Sequence, residues 1–143
     1  MWHNQAILNE AEFVLHGRLG ELDRLAAETA RFCREHSLGD EVEFDVNLAL
    51  EELFTNSLKY GGCAGMENAV RVRLQLLNRC VRVEFSDRGR AFDPFNAPAP
   101  DLQAGLEERS AGGLGVHLVR QIMQDLEYRR AGEWNRITMR RSI

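Results

Sequence analysis

Residues 48–61 read Leu48-Ala-Leu-Glu-Glu-Leu-Phe-Thr-Asn-Ser-Leu-Lys-Tyr-Gly61, the second half of a helix predicted from about Asp40 to the Gly61-Gly62 pair. Val42, Val46, Ala49, Leu50, Leu53 and Phe54 recur at the helical period and define one broad apolar face. At about 100° per residue, Glu52, Asn56 and Lys59 fall within roughly 60° of one another on the other side. Glu51 lies about 140° from Asn56 around the same wheel and points elsewhere. A carboxylate, a carboxamide and an ammonium on one face can hold a hydrated cation and an anionic ligand together. The competing reading is the plain solvated face of an amphipathic helix.

Upstream, residues 10–15 (Glu-Ala-Glu-Phe-Val-Leu) predict a short strand. Leu22, Leu25, Ala26, Phe32 and Cys33 then recur at helical spacing, with Gly39 expected as that helix's C-terminal stop. Downstream, Val70, Val72, Leu74 and Leu76 alternate with Arg71, Arg73 and Gln75, the pattern of a half-buried strand. Asn78-Arg79 turns the chain, and Val81, Val83 and Phe85 alternate with Arg82 and Glu84. A row of outward arginines is either a partner patch or the wet face of an antiparallel sheet.

From Asp87 the texture changes. All three prolines fall within seven residues (Pro94, Pro98, Pro100), and small and polar residues continue to Gly112. A loop of about 18 residues in a compact domain is a functional lid or disordered. A helix is expected to open at Gly113 or Leu114, with Val116, Leu118, Val119, Ile122, Met123 and Leu126 at helical spacing. Residues 128–130 and 136–140 predict a terminal hairpin turning near Ala131-Gly132. The order is strand, helix, helix, two strands, lid, helix, two strands. It predicts one α+β domain over residues 1–143: a two-layer sandwich of a mixed, largely antiparallel sheet with helices on one face.

At 143 residues, with 44% hydrophobic and 28% charged residues, the chain suits one globular domain with a sizeable core. A net charge of −4 argues against a chain that lives on nucleic-acid phosphates. Cys33, Cys63 and Cys80 are odd in number and lack metal-ligand spacing, as expected of reduced thiols in a cytosolic protein. No 18-residue apolar run exists, and Met1-Trp-His-Asn-Gln has no signal-peptide pattern, so a soluble cytoplasmic domain off the membrane is expected. Seventeen of the 18 basic residues are Arg, which leaves the single lysine, Lys59, on the candidate face.

Two glycine stretches add chemistry. Asp87-Arg-Gly-Arg-Ala-Phe-Asp-Pro94 begins where a strand ends. A carboxylate there can accept from an exocyclic amine while Gly89 lets backbone approach a flat ring; the plainer reading is a capped glycine turn. Ala111-Gly-Gly-Leu-Gly-Val116 precedes a helix, where free N–H groups make a phosphate cradle. It is not a Walker A loop, because no Gly-Lys-Ser/Thr follows, nor a dinucleotide fingerprint.

Glu-x-x-x-Asn on a helix, then Asp-x-Gly-x-Ala-Phe-Asp-Pro after a strand, then Gly-Gly-Leu-Gly opening a helix, resembles the GHKL (Bergerat-fold) ATPase superfamily. Within it the match is closest to the RsbW-like anti-sigma-factor serine/threonine kinases, including the phrase Gly113-Leu-Gly-Val-His-Leu-Val119, and it covers nearly the whole chain. The resemblance implies ATP and Mg²⁺ as ligands. It makes Asn56 the Mg²⁺ ligand, Glu52 the general base, and Asp87 the partner of the adenine amine with Gly89 beside the ring. Ala91, Phe92, Gly112, Gly113, Leu114, Gly115 and Val116 complete the nucleotide set. Residues 95–112 become an ATP lid, and Lys59 takes a phosphate-side role. Tyr60 departs from the family, which commonly has His there.

The resemblance further implies a kinase that phosphorylates an antagonist protein, sequesters a sigma factor and forms a homodimer; in this sequence the arginine rows or the first helix could supply the interface. An ATP-gated binding module with little or no chemistry is the alternative. A detached histidine-kinase catalytic domain ranks third. Only about 40 residues precede the central helix, leaving no room for a two-helix phosphoacceptor segment, and His3, His16, His36 and His117 are scattered outside acceptor-like contexts. The transducer domain of gyrase-like or MutL-like relatives is also missing.

Overall fold

The computed structural model describes residues 5–96 and 113–143. Its elements run β1 (Asn9–Leu15), a 3₁₀ turn (Leu19–Glu21), α1 (Leu22–Glu35), α2 (Asp40–Lys59), β2 (Val70–Leu76) and β3 (Cys80–Asp87). After a second 3₁₀ turn (Pro94–Asn96) come α3 (Gly113–Ile122), β4 (Gln124–Ala131) and β5 (Trp134–Ser142). The strands form one sheet in the order β1-β2-β3-β5-β4. Every neighbouring pair is antiparallel, so the sheet is not mixed among the described residues.

Alternation decides which side of the sheet is dry. Phe13, Val72, Val83, Phe85 and Met139 point to one face and are buried against Leu25 and Phe32 of α1, Val46, Leu50 and Phe54 of α2, and Val119 of α3. The helices therefore share one face, and α2 lies centrally with Val46, Ala49, Leu50 and Phe54 fully enclosed. Asp40, Glu41 and Glu43 in its first turn and Lys59 in its last complement the helix dipole. Two ion pairs fasten α2 at its N-terminal half: Arg34–Glu43 at 3.2 Å from α1 and Arg141–Asp45 at 2.8 Å from β5. The opposite sheet face is polar. Glu12 pairs with Arg71 and Arg73, Glu84 with Arg73 and Arg136, and Arg71 lies 4.9 Å over the Trp134 ring.

Two sequence expectations are corrected. Leu126 is in β4, not α3, because Ile122 is the last helical residue and Asp125 takes a left-handed φ of 52°. The β4/β5 register slips between Gln124 and Glu127, so Leu126 falls within a bulge that mimics one more helical turn in the apolar pattern. Gly39 is not the stop of α1. Ser37 takes the left-handed position after α1 (φ 53°), Leu38 N–H closes on the Cys33 carbonyl at 2.9 Å, and Gly39 (φ 87°) is the N-cap of α2. The lid expected over residues 95–112 lies largely outside the described residues, which hold only its first two positions.

Candidate functional site

The β3/β5 ladder places Asp87 directly opposite Asn135, and strand parity turns both toward the helices. They form the floor of a pocket walled by Leu53, Asn56 and Ser57 of α2, with Arg90 and Phe92 at its side. Asp87 is 7% exposed, a carboxylate held almost dry. Three donors hold it: Ser57 Oγ to Oδ2 at 2.7 Å, Gly89 N–H to Oδ1 at 2.9 Å, and Asn135 Nδ2 to Oδ1 at 2.9 Å. Buried charge is tolerable only with such partners.

Gly89 is required by space. A Cβ there would lie 2.5 Å from the Gly61 carbonyl oxygen and 3.1 Å from Asp87 Oδ1. The β3 exit thus passes directly over the end of α2, and Arg90 N–H donates to that same Gly61 carbonyl at 3.1 Å. Arg90 then reaches back to the Tyr60 carbonyl through Nε at 2.8 Å and through a second guanidinium nitrogen. Arg130 Nη1 donates to the Gly89 carbonyl at 2.7 Å. The loop 88–92 is therefore pinned on one side by the Tyr60 and Gly61 carbonyls, which accept from Arg90, and on the other by the Arg130 guanidinium, which donates to the Gly89 carbonyl.

On α2, Asn56 is half-buried in the pocket wall and Glu52 is half-buried one turn before it. Among the described residues, neither side chain makes a hydrogen bond or ion pair; nor does the exposed Lys59. Glu51 does point elsewhere, accepting from Asn47 Nδ2 at 3.1 Å. Ala91 is exposed, and Phe92, 49% exposed, lines the pocket. Gly113, Leu114, Gly115 and Val116 form the first turn of α3; Val116, 7% exposed, packs into the protein. Gly112 lies outside the described residues. Among the described residues no group of three or more His, Cys, Asp or Glu side chains could hold a metal ion unaided. No helix among them is long and apolar enough to cross a membrane.

With this geometry in view, the sequence matches the family model of the histidine kinase-like ATPase domain over residues 15–141. The chain belongs to that family. It is 31% identical over 98 residues to the serine/threonine-protein kinase BtrW of Bordetella bronchiseptica, covering 68% of this chain and 69% of that one. Its fold matches a solved structure of the RsbU and RsbW domains of Rv1364c from Mycobacterium tuberculosis with a TM-score of 0.68 at 12% identity. That match covers 94% of this chain, which spans 32% of the length of the other. Kinship with a serine/threonine-protein kinase bears out the kinase family read from the sequence, and the likeness to the chain with an RsbW domain bears out the fold.

Sequence reasoning missed Ser57 and Asn135, which hold Asp87, Tyr128, which holds the Asn135 amide, and Arg90, which ties the loop after Asp87 to the Tyr60 carbonyl. Ser57 sits on the apolar face of α2, where a small polar residue carries no periodic signal. Asn135 sits in a terminal strand whose pattern announces only alternation. A register that pairs Asn135 with Asp87 would have exposed it.

Proposed function

We propose that this chain is an ATP- and Mg²⁺-dependent protein serine/threonine kinase of the anti-sigma-factor type. In this reading it phosphorylates an antagonist protein and sequesters a sigma factor, acting as a cytoplasmic homodimer. The observation that carries it is the pairing on α2: Glu52 and Asn56, one turn apart and without partners among the described residues, with Asn56 in the wall of a pocket floored by Asp87. An unpartnered carboxamide beside an anchored carboxylate is a donor set that fits a nucleotide with its metal.

Asp87 would accept from the adenine amine, and Gly89 would lie beside the ring, its backbone held close to the end of α2, where a Cβ would meet the Gly61 carbonyl. Ala91 and Phe92 would border the base. Asn56 would be a protein ligand of Mg²⁺, its carboxamide oxygen being a suitable donor for a hard cation. Mg²⁺ supplies charge neutralisation between phosphates. The N–H groups of Gly113, Leu114, Gly115 and Val116 at the start of α3 would face phosphate, as helix N-termini do. Lys59 would add a positive charge on the phosphate side. Glu52 would take the proton of the attacking hydroxyl.

The test is Glu52→Ala, assayed for transfer of labelled γ-phosphate to a candidate antagonist and for ATP affinity. Transfer is expected to vanish while affinity stays within about twofold. Loss of affinity would instead make Glu52 a structural residue. Tight ATP binding by the wild type without transfer would favour the ATP-gated binding module.

A further inference from the structure

We infer that Asn135 is a positioning residue for base recognition: by clamping Asp87 it makes the pocket discriminate purines bearing a 6-amino group from those bearing a 6-carbonyl. The inference rests on the ATP-binding reading above and adds to it the residue on which selectivity depends.

An ionised carboxylate offers about four lone-pair sites. In Asp87, Oδ1 receives two donors, from Gly89 and Asn135, and Oδ2 receives one, from Ser57. One acceptor site remains, on Oδ2. It can take an N–H donor from a ligand, while a ligand carbonyl in the same place would face carboxylate oxygen. The value of that remaining site depends on how firmly the carboxylate is held, and Asn135 is the firmest of the three restraints.

The orientation of the Asn135 amide follows from its neighbours. Its oxygen accepts from the Phe92 N–H at 3.3 Å and from the Tyr128 hydroxyl at 2.6 Å. Its nitrogen faces Asp87 Oδ1 at 2.9 Å and the Arg90 carbonyl at 2.7 Å, and both of these groups only accept. A flipped amide would set oxygen against both acceptors and nitrogen against the Phe92 N–H. All four contacts therefore hold one arrangement. Both amide hydrogens are committed, one to the carboxylate and one to the backbone bordering the pocket. Ser57, by contrast, has a single hydroxyl hydrogen and two acceptors in reach, Asp87 Oδ2 at 2.7 Å and the Leu53 carbonyl at 3.1 Å. Asn135 is 3% exposed, so water does not replace it readily.

The experiment compares ATP with inosine triphosphate, which carries a carbonyl where ATP has its amine, by calorimetry with Mg²⁺ on the full chain. The wild type is expected to prefer ATP by about tenfold or more, the usual weight of a hydrogen bond to a charged group. In Asn135→Ala, ATP affinity is expected to fall about tenfold while inosine triphosphate affinity changes less than twofold, so that the preference collapses. Equal losses for both nucleotides would show a merely structural role and overturn the inference while leaving ATP binding in place. A wild type that binds both equally overturns it too. Binding of neither nucleotide by the wild type would remove the ATP reading itself and this inference with it. Should Asn135→Ala not fold, Tyr128→Phe decides: it frees one side of the amide and is expected to lower the preference several-fold, and an unchanged preference overturns the inference.

Discussion

Ser57 Oγ donates to Asp87 Oδ2 at 2.7 Å across thirty residues of sequence, joining the last turn of the site helix to the end of the strand that carries the pocket floor. Both residues are buried, at 5% and 7% exposure. The bond makes the face bearing Glu52 and Asn56 and the carboxylate of Asp87 one rigid unit, since hydrogen bonds strengthen where water is excluded.

Ser57→Ala removes that donor and leaves a buried carboxylate with two partners. A stability loss of about 1–3 kcal/mol is expected from urea denaturation, with weaker ATP binding measured by calorimetry. Unchanged stability would mean that the carboxylate is satisfied without the serine.

Gly89→Ala drives a methyl group to 2.5 Å from the Gly61 carbonyl. Backbone lies on both sides of the contact, so the strand exit must lift off the end of α2. A loss of about 1–3 kcal/mol is expected, and ATP binding should fall further than stability alone requires. Wild-type affinity in a folded Gly89→Ala protein would contradict the close approach described here.

The buried thiols set an alkaline limit. Burial, then the nearby charge of Glu43, pushes Cys33 up from 9.0 to about 11. Burial, then Asp87, does the same for Cys63, to about 11, against a small opposing effect of the Arg88 N–H. A raised folded pKa means that the folded state keeps its proton longer than the unfolded state. Its stabilising contribution is complete below about pH 9 and is lost as pH rises toward 11. Denaturation at pH 8.5 and at pH 10.5 should show that decline, and Cys33→Ala with Cys63→Ala should flatten it. An identical slope in the double variant would assign the alkaline loss to other groups.

The architecture was readable because its signals are periodic. The α2 face, the alternation of β2 and β3, and the glycine-opened α3 each obey a spacing that the hydrophobic effect imposes. Leu126 misled because the apolar positions Ile122 and Leu126 stand four apart, as in a helix, while Asp125 starts a bulge that periodicity does not register. Gly39 misled in a different way: a glycine between two helices signals a break without saying which helix it serves. The site was half-legible for the same reason. Glu52, Asn56 and Asp87 belong to motifs, whereas Asn135 acquires its meaning only from the register that sets it across from Asp87.

The central claim is a Mg²⁺-dependent ATP site built on Asn56 and Asp87, and calorimetry of ATP binding to the wild type and to Asn56→Ala, with and without EDTA, tests it most directly. The account predicts micromolar binding by the wild type, weakened about tenfold or more by the mutation or by EDTA. A folded wild-type protein that binds no ATP, or an Asn56→Ala variant that binds it undiminished in the presence of Mg²⁺, would contradict it.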